Sequence, residues 1–571
     1  MKQNIVLKYS SAHVGTQFRD FLSKVEVEHI GGTSEGSAEG TTHSFSEGET
    51  AAFADWVNTQ LAEDDELKSG GYIPIDSSNN YKQMFEKVKD GILLCKMINA
   101  TVPNTIDMRA VNKKNLKVFT IHENQTLVIN SASSIGCHLV NIGPEDLANG
   151  KQHLVLGLLW QVIRIGLFSK ITLTDIPGLR RLLREGEDFS VLHKMSPEEL
   201  LIRWVNYHLE QAGSGRRINN FSGDIEDSEA YSILLHRIAP PGCSVEHPTT
   251  YNAVQGNVKK AEKVLRNADK IGCRKFVRSK DIAEGNPKLN LAFVANLFNT
   301  YPCLPPDDET TEAIEDENYR EETREETTYR NWMNSLGVNP FVTWLYTDLY
   351  DGHVLFQLYD SIHPGIVNWD KVASREACGK LGGNIKRIEN CNYALEIGKN
   401  EPMKFKLVAI GGQDLNAGNE VLTQGLVWQM MRAYTLSILS KLAPEGSPAL
   451  KDADIIDWVQ EQLTKGKKTN SIKSFRDPSI CTSLAVIDLI DCISSKMVNY
   501  NLVTAGDTDE DKLLNARYAL SLARKIGAQI YALPEDLVEV KPKMVLTVFA
   551  CLMACALKNK KEKDTKKTGR K

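Results

Sequence analysis

A short segment near residue 115 carries the side chains best suited to binding another protein. Lys113, Lys114 and Lys117 are followed closely by Phe119. Clustered cations beside an apolar side chain can bind an acidic protein surface even when the whole chain carries a net negative charge. The alternative is a solvated loop whose lysines bind nothing. The residues alone leave both interpretations open.

Residues that could perform catalysis do not occur in catalytic arrangements. The segment Lys465–Thr469 lacks the glycine spacing that lets backbone amides surround a phosphate, and neither H-E-x-x-H nor G-x-S-x-G occurs. Cys137 and His138 are adjacent, and adjacent side chains on a helix diverge. Cys551 and Cys555 share a helix face but supply only two metal ligands. The chain is therefore predicted to be no enzyme and to need no cofactor or metal, with an unrecognised active site as the alternative.

One acidic segment resembles a calcium-binding loop only in part. Asp507–Asp511 begins like an EF-hand, but Lys512 stands where that loop needs glycine and Tyr518 where it needs a bidentate glutamate. Acidic residues that follow Thr508 are also typical of a helix start. The segment is therefore interpreted as helix-capping rather than calcium-binding.

Composition limits the class of protein. The chain has 571 residues, of which 42% are hydrophobic and 25% charged, with a net charge of −5. These values favour neither nucleic acid nor an anionic membrane as a partner. The apolar runs Leu154–Phe168 and Val545–Leu557 predict buried helices, because Arg164 interrupts the first and the second is too short to span a bilayer. Eleven scattered cysteines and an N-terminus unlike a signal peptide predict a cytoplasmic protein.

The elements that must position these residues occur four times. A segment with a central tryptophan recurs at intervals of 148, 128 and 126 residues, which suits four small globular domains. Each is followed by a second apolar block, and then by an almost wholly apolar block headed by Asp-Leu or Asp-Ile. A helix with so little polar surface lies at the centre of a domain. The tryptophans predicted to lie in the core are Trp56, Trp160, Trp204, Trp332, Trp428 and Trp458.

Each repeat predicts an all-α domain with a tryptophan helix, a second helix, a third helix and a buried closing helix, because strand-like alternation is weak. Ser46, Ser196 and Thr323 each precede a glutamate by three residues, which predicts caps for tryptophan helices. The predicted segments are a flexible lead over 1–46, domains over 47–170, 196–303, 327–440 and 449–558, an acidic linker over 304–326 and a basic tail over 559–571.

Four segments carry a resemblance to a known family. The tryptophan helix, the Asp-Gly step and the Leu-x-Trp-Gln closing helix resemble calponin-homology domains, and four copies in two tandem pairs resemble the fimbrin (plastin) family. This resemblance implies an all-α fold of four calponin-homology domains. Fimbrins commonly begin with an EF-hand headpiece, but only 46 residues precede the first predicted domain, so we expect no EF-hand calcium control. The matching segments are Val111–Asn124, Leu154–Gln161, Asn331–Pro340 and Ala532–Lys543.

The resemblance also implies a function. We expect actin-filament binding and bundling, in which each pair binds one filament and a monomer crosslinks two. The expected location is the cytoplasmic actin cytoskeleton, without nucleic-acid binding or membrane insertion. Because only the first pair has the lysine cluster, the two pairs are expected to differ in affinity. The alternative is an adaptor whose second pair binds another protein or is autoinhibitory.

The expected filament contacts fall in both pairs. In the first pair they combine the lysine segment with polar residues of the closing helix that could face solvent, and in the second pair they occupy matching positions of the repeat. The first set is Lys113, Lys114, Lys117, Phe119, Lys151, Gln161, Arg164 and Lys170. The second set is Lys386, Arg387, Gln429, Arg432 and Tyr434.

Overall fold

The protein is built almost entirely from helices. The computed structural model describes residues 32–35, 42–77, 82–171, 176–187, 190–193, 195–305, 322–380, 382–443 and 450–568. Within these ranges four helical domains of similar plan follow one another, and one two-stranded hairpin precedes them. Most of the predicted acidic linker, residues 306–321, lies outside the described residues.

Each domain contains four principal helices, which are called the tryptophan, second, third and closing helix in chain order. In the first pair they are Glu47–Gln60, Ile92–Thr101, Val118–Ser134 and Gln152–Phe168 in domain 1, and Pro197–Gln211, Glu229–Ile238, Asn257–Lys270 and Pro287–Thr300 in domain 2. In the second pair they are Arg324–Ser335, His353–Ile362, Gly383–Lys399 and Glu420–Leu442 in domain 3, and Asp452–Lys465, Leu484–Ile493, Asp509–Lys525 and Pro542–Thr568 in domain 4.

Shorter helices connect the principal ones. The short α-helices are Asp65–Ser69, Gln83–Lys87, Pro144–Ala148, Ser190–His193, Ser279–Ala283, Leu345–Asp348, Arg375–Gly379, Gly412–Asn416 and Pro534–Val538. The 3-10 helices are Pro177–Leu182, Gly223–Ile225, Pro248–Tyr251, Trp369–Lys371, Pro478–Thr482 and Tyr500–Leu502.

Two short strands lie in the segment that the sequence predicts to be a flexible lead. Gly32–Glu35 pairs antiparallel with Thr42–Phe45, with Gly32 opposite Phe45. The second strand lies against the closing helix of domain 1. Threonine and phenylalanine suit strands, and an antiparallel partner satisfies the backbone groups. These eight residues therefore form a paired hairpin, whereas the sequence predicts a flexible lead there.

The predicted helix caps are confirmed. Ser46, Ser196 and Thr323 each accept a hydrogen bond from the amide three residues later, at 3.2–3.3 Å. The third cap starts its helix at Arg324, slightly before the predicted start of domain 3. Thr508 accepts from the Asp511 amide at 3.1 Å, so the helix-capping interpretation of that acidic segment is also confirmed.

A buried asparagine on each third helix fixes the segment that precedes the helix. Asn124 accepts from the Asn112 amide at 2.9 Å and donates to the carbonyls of Asp90 and Asn112. The side chain thus replaces missing backbone partners in a segment without regular structure. Gly91 follows Asp90 with φ +83°, and a Cβ there would lie 2.9 Å from that of Asn124. Asn390 and Asn515 make the equivalent bonds in domains 3 and 4. In domain 2 the buried Asn267 instead accepts from the Glu246 amide and donates to the Tyr251 hydroxyl.

The predicted core tryptophans pack in the domain cores. Trp56, Trp204 and Trp332 are at most 6% exposed. Trp160, Trp428 and Trp458 are partly exposed, although each packs against the core. The core therefore includes the tryptophans of the closing helices as well as those of the tryptophan helices.

The closing helix of domain 4 is a core helix. By length and composition alone, Pro542–Glu562 could cross a membrane. Its Val545, Val548, Phe549 and Leu552 are fully buried, and it packs against the closing helix of domain 3 and the tryptophan helix of domain 4. The prediction of a buried helix is confirmed, and the described part of the basic tail continues this helix to Thr568.

Candidate binding surface

The lysine segment lies on the surface of domain 1 and exposes apolar as well as charged side chains. Lys117 is the N-cap of the third helix, and Val118 and Phe119 follow it, each 72% exposed. Lys113 and Lys114 are also exposed. These five side chains are called the lysine surface below. Exposed apolar groups beside cations suit an acidic partner that also offers apolar contacts.

Ion pairs hold part of this surface in place. Lys113 Nζ lies 2.7 Å from the Glu66 carboxylate, which Lys96 approaches to 2.9 Å. Hydrogen bonds from Lys113 and then Lys96 hold the pKa of Glu66 below its usual value. Among the described residues, Lys114 and Lys117 lie in no ion pair. These two lysines therefore offer the least compensated positive charge.

Domain 4 supports the base of the lysine surface. Lys525, at the end of the third helix of domain 4, donates to the Ala110 carbonyl at 2.9 Å and to Asn112 Oδ1 at 3.0 Å. Its ammonium lies 3.6 Å from the Glu123 carboxylate, and Lys525 is only 6% exposed. Burial lowers the pKa of Lys525, while Glu123 opposes that shift. The segment that leads into the lysine surface is thus anchored on the second pair.

Further polar contacts extend the interface between domains 1 and 4. Arg109 donates to the carbonyls of Leu502 and Leu514, and its guanidinium lies 5.2 Å from the Tyr518 ring centroid. Arg524 is 4% exposed and donates to the Thr105 carbonyl at 2.9 Å, and its burial lowers its pKa to about 10. Two arginines and a lysine therefore join the pairs through backbone carbonyls, which no local sequence pattern reveals.

Two predicted contacts lie at the ends of the domain 1 closing helix. Lys151 precedes the helix and forms a 2.7 Å ion pair with Asp146. Lys170 follows the helix and is exposed. Lys170 is therefore open to a partner, whereas Lys151 already has one.

Two other residues of this helix make contacts within the protein. Gln161 Oε1 accepts from the His138 amide at 2.6 Å, and Gln161 Nε2 donates to the His138 carbonyl at 2.8 Å. Arg164 lies between the rings of Phe168 and Phe341, at 5.6 and 4.8 Å from their centroids. Burial lowers the pKa of Arg164. The closing helix is surrounded, so its polar side chains hold neighbouring segments.

In domain 3 the start of the third helix resembles the lysine surface, with fewer charges. Ile385 is 67% exposed and Lys386 is exposed beside it. Ile385 precedes Asn390 by the same interval at which Phe119 precedes Asn124. Arg387 instead donates to the Cys378 carbonyl at 2.7 Å and lies over the Tyr350 ring. Arg387 is therefore engaged within domain 3.

The remaining expected contacts of the second pair are occupied within the protein. Gln429 bonds the Lys406 backbone in the way that Gln161 bonds His138. Arg432 forms an ion pair with Asp452 at the start of domain 4. Tyr434 lies with its ring centroid 5.8 Å from that of Trp332, and burial raises its pKa. These closing-helix side chains therefore contact neighbouring segments, although 37% of the Arg432 side chain stays exposed.

Each domain pair is joined by the same three-residue contact. In the first pair Lys288 lies 2.7 Å from Glu49 and 5.6 Å from the Trp160 ring centroid. In the second pair Lys543 lies 2.6 Å from Glu325 and 5.8 Å from the Trp428 ring centroid. The lysine comes from the start of the closing helix in domain 2 or 4, and its partners come from domain 1 or 3. We name this contact the pair junction.

Comparisons with known proteins agree with this architecture. The calponin homology (CH) domain model matches residues 47–167, 195–303, 323–436 and 450–558. Plastin-3 of Homo sapiens is 53% identical over 561 residues, which cover 97% of this chain and 87% of the relative. Plastin-1 of Mus musculus is 53% identical with the same coverage. The crystal structure of the actin-crosslinking core of Schizosaccharomyces pombe fimbrin is 41% identical, has a TM-score of 0.73, and covers 89% of this chain and 100% of that one.

Proposed function

This chain belongs to the calponin-homology domain family and to its plastin and fimbrin branch, and on that premise we propose that it crosslinks actin filaments into bundles. The proposal rests on the repeated pair junction, because this contact joins domains 1 and 2 into one module and domains 3 and 4 into a second, similar module. Each module binds one filament, so a monomer bridges two. The protein acts by binding rather than by catalysis, and it acts in the cytoplasmic actin cytoskeleton.

The lysine surface is the proposed contact of the first module. Lys114 and Lys117 supply positive charge, and Val118 and Phe119 supply apolar area that binding would remove from water. Lys113 contributes less, because Glu66 already compensates its charge. Lys170 adds a further cation at the end of the closing helix. Gln161 and Arg164 act by positioning that helix and its neighbours.

The second module is proposed to bind through Ile385 and Lys386. Val408 is 82% exposed in the loop that corresponds to Val140 of domain 1, and it adds apolar area in the same domain. With fewer cations, this module binds with a weaker dependence on salt than the first. Because domains 1 and 4 are in contact, the two modules lie close together, and bivalent engagement raises the apparent affinity for closely spaced filaments.

Paired sedimentation tests the proposed bundling. The purified chain is mixed with actin filaments and centrifuged at low and then at high speed, with and without calcium. Pelleting at low speed supports two working filament sites, and calcium is expected to leave it unchanged. Pelleting at high speed alone would contradict bundling and favour the adaptor, and no pelleting at either speed would contradict filament binding.

Charge reversal tests the proposed contact of the first module. Lys113, Lys114 and Lys117 are replaced together by glutamate, and the expected result is a loss of filament affinity of at least tenfold. The matched control reverses Lys259, Lys260 and Lys280 on the surface of domain 2, which gives the same change in net charge. If both variants keep the unfolding temperature of the native chain and bind filaments with equal affinity, the lysine surface is not the contact.

A further inference from the structure

Four side chains of alternating charge lie beside and within the lysine surface. Lys113 Nζ lies 2.7 Å from one oxygen of the Glu66 carboxylate and 2.9 Å from the other. Lys96 approaches the second of these oxygens to 2.9 Å and also lies 2.7 Å from Asp64. The charges of Asp64, Lys96, Glu66 and Lys113 therefore sum to zero, although Lys113 belongs to a surface that is proposed to bind an acidic partner.

Glu66 has a fixed position, because it belongs to the short helix Asp65–Ser69, which is anchored at both its start and its middle. Asp64 caps this helix by accepting a hydrogen bond from the Leu67 amide at 3.0 Å, and the Leu67 side chain is fully buried. Hydrogen bonds from Lys113 and then Lys96 lower the pKa of Glu66, so this carboxyl group is ionised at neutral pH. A negative charge is therefore held beside the lysine surface.

Only one of the two lysines depends on Glu66 for a carboxylate partner. Lys96 would keep its ion pair with Asp64 if Glu66 were neutral. Among the described residues, Lys113 has no second carboxylate within ion-pair distance. The Lys113 side chain is 32% exposed and can be reached by a partner, whereas that of Lys96 is only 17% exposed. Neutralising Glu66 would therefore release Lys113 alone.

We propose that Glu66 limits the affinity of the lysine surface for actin filaments by competing with the filament for Lys113. The acidic surface of a filament must replace Glu66 as the partner of Lys113 or leave that lysine unused, and Glu66 itself repels an acidic surface. Ion pairs between partly exposed side chains are weak, so the competition lowers the affinity severalfold rather than abolishing binding. This inference rests on the proposed function, because it concerns the same surface.

Glu66→Gln in the full chain tests the proposal, because it keeps the side-chain length and an oxygen acceptor but removes the charge. The measured quantity is the chain concentration that pellets half of the filaments at low speed, where crosslinking requires the first module. We expect this concentration to fall about two- to fivefold in low salt, and the gain to shrink as salt is added. The matched control is Glu262→Gln in domain 2, where a carboxylate of similar exposure pairs with Arg274 at 3.2 Å. The control is expected to leave the concentration unchanged.

A double-mutant cycle with Lys113→Gln separates competition for Lys113 from simple repulsion by Glu66. In the Lys113→Gln background, Glu66→Gln is expected to give less than half of the gain that it gives in the native chain. An equal gain in both backgrounds would overturn the proposal, and so would an unchanged or lower affinity of the folded Glu66→Gln variant.

The triple charge reversal of Lys113, Lys114 and Lys117 distinguishes failure of this inference from failure of the proposed function. If the triple variant loses affinity while Glu66→Gln changes nothing, the lysine surface remains the contact and only the role of Glu66 is refuted. If neither variant alters filament binding, both the contact and the role of Glu66 are refuted.

Discussion

Replacing Lys525 by methionine is expected to weaken the contact between domains 4 and 1. The substitution keeps the length of the side chain but removes two hydrogen bonds from a buried ammonium and leaves Glu123 without that cation. Removing one partner of a buried charge contact costs about 3–5 kcal/mol. Glu123 retains Asn112 Nδ2 at 2.7 Å, so we expect the lower end, about 3 kcal/mol, or about a hundredfold change in the ratio of docked to undocked chains.

Hydrogen exchange of the Asp107 amide measures this effect, because its acceptor lies across the interface. In Lys525→Met that exchange is expected to accelerate by up to about a hundredfold, and the radius of gyration from X-ray scattering to increase. Lys512→Met is the control, since Lys512 on the same helix forms its ion pair with the exposed Asp509 of domain 4 and not with domain 1. If both variants fold and exchange Asp107 equally, the assigned role of Lys525 is refuted.

Three further perturbations test other parts of the fold. Lys288→Ala removes an ion pair and a contact with Trp160, and is expected to loosen the first pair by about 1–2 kcal/mol, measured as faster exchange between domains 1 and 2. Burial raises the pKa of Asp348 from 3.8 to about 6, so the folded protein holds this proton more tightly than the unfolded chain does. The free energy of unfolding therefore falls as pH rises from about 4 to 6. In Asp348→Asn this fall is expected to be smaller by the contribution of Asp348, measured by denaturant titrations at several pH values. Gly91→Ala forces a Cβ to 2.9 Å from a third-helix side chain at positive φ and is expected to destabilise domain 1 by about 1–3 kcal/mol in chemical unfolding, whereas Gly425→Ala on an open helix face is expected not to destabilise domain 3.

The repeated helices were predictable because local sequence determines them. Caps such as Ser196 and Thr323 satisfy free amides at helix starts, and the apolar closing helices require a buried position. The resemblance carried by the repeats also led to the correct family. The lysine segment was visible as a cluster, although its exposed Phe119 was established only by the fold.

The less predictable features depend on contacts between distant parts of the chain. The sequence suggests that Arg164 could face solvent, but its guanidinium lies over the ring of Phe341 in domain 3. Arg432 likewise forms an ion pair with Asp452 of domain 4. The pair junction had a weak signal, namely a lysine at the start of the closing helix in domains 2 and 4. Lys525 had no recognisable signal, because its partners, the Ala110 carbonyl, Asn112 Oδ1 and the Glu123 carboxylate, belong to a distant domain.

Capture of one filament by another tests the central claim most directly. Filaments of one colour are fixed on glass and decorated with the chain at low density, unbound protein is removed, and filaments of a second colour are added under fluorescence microscopy. Single-step photobleaching of labelled chains establishes that each crosslink is a monomer. We predict that second-colour filaments align along the decorated ones. Decoration by monomers without capture would contradict the claim that one chain binds two filaments.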